Sequence, residues 1–150
     1  MINRILPHQF DNQYPGHKAG VWLFVLITIM TIGRSLVHIF AADGGAQSIA
    51  TIPLDQFTTD GANAVVTMFA FWGQSQLLLG IVFVLVAWRY RSMIPLMYVL
   101  ILLEYAGRIA IGLNKPLLTI DTPPGATGNL ILIVLSIIGL AISLQSKSID

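Results

Sequence analysis

Glu104 and Arg108 stand four residues apart in LLEYAGRIAIG, Leu102 to Gly112, inside an otherwise apolar run. Positions i and i+4 share one face of a helix, so this carboxylate and guanidinium can pair. The chemistry open to them is charge neutralisation, oxyanion binding by the arginine's planar donors, or proton transfer by the carboxyl. Two other apolar runs carry similar groups. Arg34 and His38 are again at i, i+4 in IGRSLVHIF, and Gln74 and Gln76 interrupt FWGQSQ.

Several chemistries are excluded or unsupported. The chain has no cysteine, which removes disulfides, thiol catalysis and iron–sulfur ligation. Its three histidines, at 8, 17 and 38, have no metal-ligand spacing, so no metal or other cofactor is expected. No basic block is present, so nucleic acid is not an expected partner. Ser35, Ser75 and Ser136 lack the surroundings of a nucleophile, and no residue is assigned a catalytic role.

The elements that position these groups follow from composition. The 150 residues are 55% hydrophobic and 10% charged, against about 25% charged in soluble domains. So few charges cannot coat a globular surface, and lipid must solvate much of the chain. Four apolar segments occur, at about 19–41, 64–88, 93–113 and 129–145. Each reaches or nears the ~20 residues that cross a bilayer as a helix. They are too long for strands and lack the alternation of a membrane barrel. The expected fold is an all-α integral membrane protein, a four-transmembrane-helix bundle forming a single membrane domain over 1–150. The fourth segment is the shortest. DGG (43–45), IPLD (52–55), TTDGA (58–62), NKP (114–116) and TPPG (122–125) punctuate the loops at 42–63 and 114–128.

Loop charge sets the orientation. Arg4, Lys18, Arg89, Arg91 and Lys147 lie on one side, and only Lys115 lies on the other. This bias places both termini in the cytoplasm and the loops 42–63 and 114–128 outside. Trp22, Trp88 and Tyr90 then fall at the cytoplasmic boundary, where interfacial aromatics belong. The first segment is read as a retained span, because Arg34 would precede any cleavage at FAA. Ile2, Ile5, Leu6 and Phe10 stand near helical spacing, which suits a membrane-surface segment interrupted at Pro7.

Depth brings the polar residues together. Glu104 is almost at the middle of its span, and Arg108 lies about 7 Å outward from that midpoint. Arg34 lies about 4–5 Å outward on the first span, with His38 one turn beyond. Gln76 is central on the second span and Gln74 about 3 Å outward. Since i and i+2 diverge on a helix, Gln74 and Gln76 cannot both face the interior. Charges at this depth cost about 2.5–3.5 kcal/mol each, so Arg34, Glu104 and Arg108 are expected to face inward. An Arg34–Glu104 contact between the first and third spans is the specific expectation. Gly33, Gly73, Gly80 and Gly107, with Ser136, Gly139 and Ser143 on the fourth span, are expected to let the helices approach closely.

Two arginines against one carboxylate leave one positive charge, unless Asp43 reaches down to cancel it. The expected function is a buried polar pocket, formed by Arg34, His38, Gln74, Gln76, Glu104 and Arg108, that binds a lipid or anionic amphiphile. A role as accessory subunit of a membrane complex belongs to the same reading. The expected partners are the bilayer, such an amphiphile, and a membrane protein or a second copy of the chain. A faint echo between IGRSLVHIF (32–40) and AGRIAIGLN (106–114) suits the alternative of a small oligomeric transporter or channel. An intramembrane enzyme using Glu104 as acid or base is a third reading. Against all three stands a buried network that only sets helix register.

Overall fold

Each end of each long helix is marked by local chemistry. The structure, a computed structural model, describes residues 2–14 and 16–145. Lys147 therefore lies outside the described residues. A one-turn helix α1 (Ile2–Ile5) is followed by α2 (Lys18–Phe40), α3 (Thr59–Arg89), α4 (Ile94–Asn114) and α5 (Pro124–Leu144). No strand occurs among the described residues. Nδ1 of His17 accepts from the amide of Ala19 and caps α2. The Thr58 hydroxyl accepts from the amide of Gly61 and caps α3. Pro95 and Pro124 stand in the first turns of α4 and α5, where a missing N–H costs nothing.

Two boundaries differ from the sequence expectation. TTDGA was expected to be loop, yet α3 begins at Thr59 and runs for 31 residues. The Thr58 cap and Asp60 in the first turn, where an acid meets the positive helix end, outweigh Gly61. At about 46 Å, α3 is longer than the ~30 Å hydrocarbon layer. The fourth helix also starts earlier than expected, although at 21 residues none of the four long helices is shorter. Pro124 starts α5 five residues before the expected Asn129, and α4 and α5 both have 21 residues.

The four long helices run up and down, so one end of the bundle carries residues 4–14, the tight 90–93 connection and the end of α5. The other end carries the two longer loops. Helix α2 packs chiefly on α3 and α4 on α5, and α2–α5 is the main contact between the two pairs. Small residues allow both close approaches. A Cβ on Gly73 would sit 2.7 Å from Cβ of His38, and one on Gly80 would sit 2.7 Å from Cγ1 of Ile32. A Cβ on Gly139 would sit 2.2 Å from the Tyr98 ring. Ser136 and Ser143, on the same stripe of α5, are fully buried. Gly33 and Gly107 depart from the expectation, because a Cβ on either meets open space. Each precedes an inward arginine by one residue, and one residue is a 100° turn away from the packed face.

The apolar core lies toward the terminal end. The Phe24 ring lies tilted against Phe83 at 5.3 Å and edge-on to Tyr98 at 5.8 Å, and all three are buried. Thr28, Thr31 and Ser35 donate to the carbonyls four residues back, which removes their hydroxyls from apolar surroundings. Outside the core, large apolar side chains cover the surface. Trp22 is 72% exposed, Trp88 71% and Phe40 77%. Water solvates such a surface poorly. The four long helices are long and apolar enough to cross a membrane.

Candidate functional site

Helix α2 supplies Arg34 and His38. Helix α3 supplies Phe69, Trp72 and Gln76 at i, i+3, i+7, on one stripe beside Gly73 and Gly80. Helix α4 supplies Glu104, Tyr105 and Arg108. Trp72 is the hub. The Arg108 guanidinium lies 4.6 Å from its ring centre, the Arg34 guanidinium 5.1 Å, and the His38 ring stacks at 4.6 Å. Tyr105 faces the same two cations at 4.9 and 5.9 Å. Each cation–π contact contributes about 0.5–2 kcal/mol. Together they explain how two like charges are held side by side in an apolar bundle.

Glu104 is shared between two donors. Its Oε1 accepts from Nε2 of Gln76 at 2.6 Å and forms an ion pair with Arg108. The expected Arg34–Glu104 contact is absent from the ion pairs of the described residues. The reason is placement: α2 and α4 barely touch, and the aromatic rings of Trp72 and Tyr105 take Arg34 first. Gln74 is exposed, while Gln76 is buried and joins the cluster. Divergence at i, i+2 separates them, and the close α2–α3 packing selects the Gln76 face.

Three atoms of the cluster are buried with no hydrogen-bond partner: Nη2 of Arg34, Nε2 of His38 and Oε1 of Gln76. Ser136 Oγ on α5 is in the same condition. The other ring nitrogen of His38, Nδ1, lies 2.7 Å from the carbonyl oxygen of Gly44. A carbonyl only accepts, so Nδ1 carries the proton and Nε2 of the neutral ring presents a lone pair.

Asp43 does not reach the arginines. Its carboxylate accepts from the amides of Gly45, Gln47 and Ser48 at 2.7–3.1 Å. Burial pushes this carboxyl up, but those amides outweigh it and hold it down at about 2. Asp43 thus shapes the loop, and one positive charge in the cluster is left over.

Above the cluster is a cavity of about 480 Å³. Arg34, His38, Trp72 and Arg108 line it on one side, and the two long loops and the start of α5 line the rest. Next to the lining residue Ala50, the loops are joined at Thr51. Its carbonyl accepts from the amide of Ile120 at 3.0 Å, and its hydroxyl donates to the Asp121 carbonyl at 2.8 Å. Thr51 has φ 56°, a left-handed conformation that is costly for a β-branched residue.

Sequence reasoning missed Trp72, Tyr105 and Phe69. One signal was available. Trp72 lies mid-span, far from the interfaces where membrane tryptophans concentrate. Compared with family models, curated proteins and solved structures, the chain matches none of them.

Proposed function

We propose that the chain is a multi-pass membrane protein, with both termini cytoplasmic, whose loop-end cavity binds an anionic amphiphile. The observation that carries this reading is the pair of arginines, matched by one carboxylate, at the wall of a largely apolar cavity. Arg34 supports it most directly, because its Nη2 is a buried donor with nothing to donate to. A buried unmet donor is costly, and an anionic head group would meet it. Apolar side chains such as Phe69 and Leu117 line the same space and suit the start of a tail. Its size lies within the ~300–1,000 Å³ common for small-molecule sites. The orientation rests on the loop charges.

Thermal melting in a neutral detergent tests the binding. An anionic amphiphile at a hundredfold excess over its Kd should stabilise the native protein by about 2.7 kcal/mol. Arg34→Gln should remove that gain, and a zwitterionic amphiphile should give much less. Equal shifts for the native protein and the variant would overturn the reading. A cysteine at Gln56 should be labelled from outside intact cells by an impermeant thiol reagent, and one at His8 should not. The reverse pattern would overturn the orientation.

A further inference from the structure

We propose, resting on the amphiphile reading above, that the head group is a phosphate monoester that contacts Arg34 and shares one proton with Nε2 of His38. The argument starts from two adjacent demands. Nη2 of Arg34 is a donor that needs an acceptor, and Nε2 of His38 is an acceptor that needs a donor. His38 is only 4% exposed and lines the same cavity as Arg34.

Head groups differ in what they bring. A carboxylate and a phosphodiester offer acceptors only. Either one satisfies Arg34 and leaves the lone pair of His38 unmet. A phosphate monoester ionises for the second time near pH ~6, close to the ordinary histidine value of ~6.5. As a monoanion it donates P–O–H to Nε2. As a dianion it accepts from a protonated Nε2. These are one bound state with the proton on either side of the same hydrogen bond.

The charges also balance. Arg34 and Arg108 less Glu104 leave one positive charge, and a monoester sharing one proton with neutral His38 brings one negative charge. Gly125 and Ala126, in the first turn of α5, line the cavity, and no side chain caps that helix. Its positive end adds a further attraction for the extra charge of a phosphate.

Among the described residues, no side chain competes for the His38 proton. Arg34 faces it from its own helix, Phe69 and Trp72 from α3, Arg108 from α4, and Asp43 and the Gly44 carbonyl from the loop. The Asp43 carboxylate is held by backbone amides. Helix α5 carries no charged residue.

The test is calorimetry on the full chain in dodecyl maltoside at pH 7.5. Dodecyl phosphate, its methyl diester, dodecanoate and inorganic phosphate are titrated in two buffers of different ionisation heat. Dodecyl phosphate should bind about tenfold tighter than the diester or dodecanoate. Its binding should take up about one proton. His38→Asn, whose amide still reaches toward the Gly44 carbonyl, should lose that preference and the proton uptake while dodecanoate binding is kept. If that variant does not fold, the proton uptake of the native protein decides alone. Equal binding of the three head groups, or no proton uptake, overturns the phosphate head and leaves the amphiphile reading standing. Binding of none overturns both. Inorganic phosphate binding as tightly as dodecyl phosphate supports the phosphate site and overturns the amphiphile.

Discussion

The two halves of the bundle treat polar groups in opposite ways. In the terminal half, buried polar atoms other than Ser136 Oγ are closed off in pairs. The Tyr98 hydroxyl donates to the Gly20 carbonyl, Tyr14 meets Ser143, Ser92 and Asp11 share three bonds, and Arg4 donates to the Leu144 carbonyl. Burial raises the Tyr14 phenol, which keeps it a neutral hydrogen-bonding group. In the loop half, Arg34, His38 and Gln76 each carry a buried atom with no partner, beside a cavity. Buried polar groups are normally satisfied. A region where they are not is built for something other than stability, whereas the terminal half holds the helices together.

The largest expected effect lies where the loop half is itself structural. Glu104→Gln removes the carboxylate that, among the described residues, pairs with this cluster's cations and should cost about 3–5 kcal/mol, read by chemical or thermal unfolding in detergent. A double-mutant cycle sharpens the point. Glu104 should couple strongly to Arg108, and only weakly to Arg34. Stronger coupling to Arg34 would restore the contact expected from depth alone.

Next come the glycines, which compare a packed helix face with an open one. Gly139→Val forces a side chain into the buried Tyr98 ring and should cost about 3 kcal/mol. Gly107→Ala, with open space around it, should cost nothing and add up to about 1 kcal/mol of helix preference. Similar losses for both would erase the distinction between a packed helix face and an open one.

Arg34 should behave unlike a packing residue. Arg34→Gln removes an incompletely satisfied cation, so its stability without ligand should change by less than about 1 kcal/mol. Tyr98→Phe, in the terminal half, leaves the Gly20 carbonyl without its donor and should cost about 1–2 kcal/mol. A loss at Arg34 exceeding that at Tyr98 would make the cluster a structural network.

The smallest effect concerns the loop over the cavity. Asp43 is held at about 2, below its ordinary 3.8. It therefore stabilises the fold above about pH 4, and that contribution is lost as the pH falls toward 2. Asp43→Asn should lower the melting temperature at neutral pH by an amount corresponding to about 1 kcal/mol. The difference from the native protein should vanish near pH 2. A difference that does not change with pH would show that its charge is not what the loop uses.

Much of this architecture is legible in the chain. Four apolar runs specify four helices, because length and hydrophobicity act locally. The i, i+4 pair of Glu104 and Arg108 is likewise local, since one helix brings both to one face. The divergence of Gln74 from Gln76 follows from the same periodicity. The starts of α3 and α5 were less legible, because Thr58 and Pro123 resemble loop until the helix after them is seen.

Tertiary structure alone decided the rest. Depth along a span says how far a residue lies from the middle, but not which neighbour it faces. That is why Arg34 and Glu104 share a level without pairing, and why Trp72, an unremarked aromatic in the sequence, becomes the surface on which both arginines rest. The partner of Asp43 and the unmet nitrogen of His38 depend on how the 42–58 loop folds back over α2. The cavity depends on which helix pairs close tightly, at Gly73, Gly80 and Gly139, and which are held apart. Charges in an apolar sequence announce that a polar site exists; only the packing of four helices determines which of those charges remain unsatisfied.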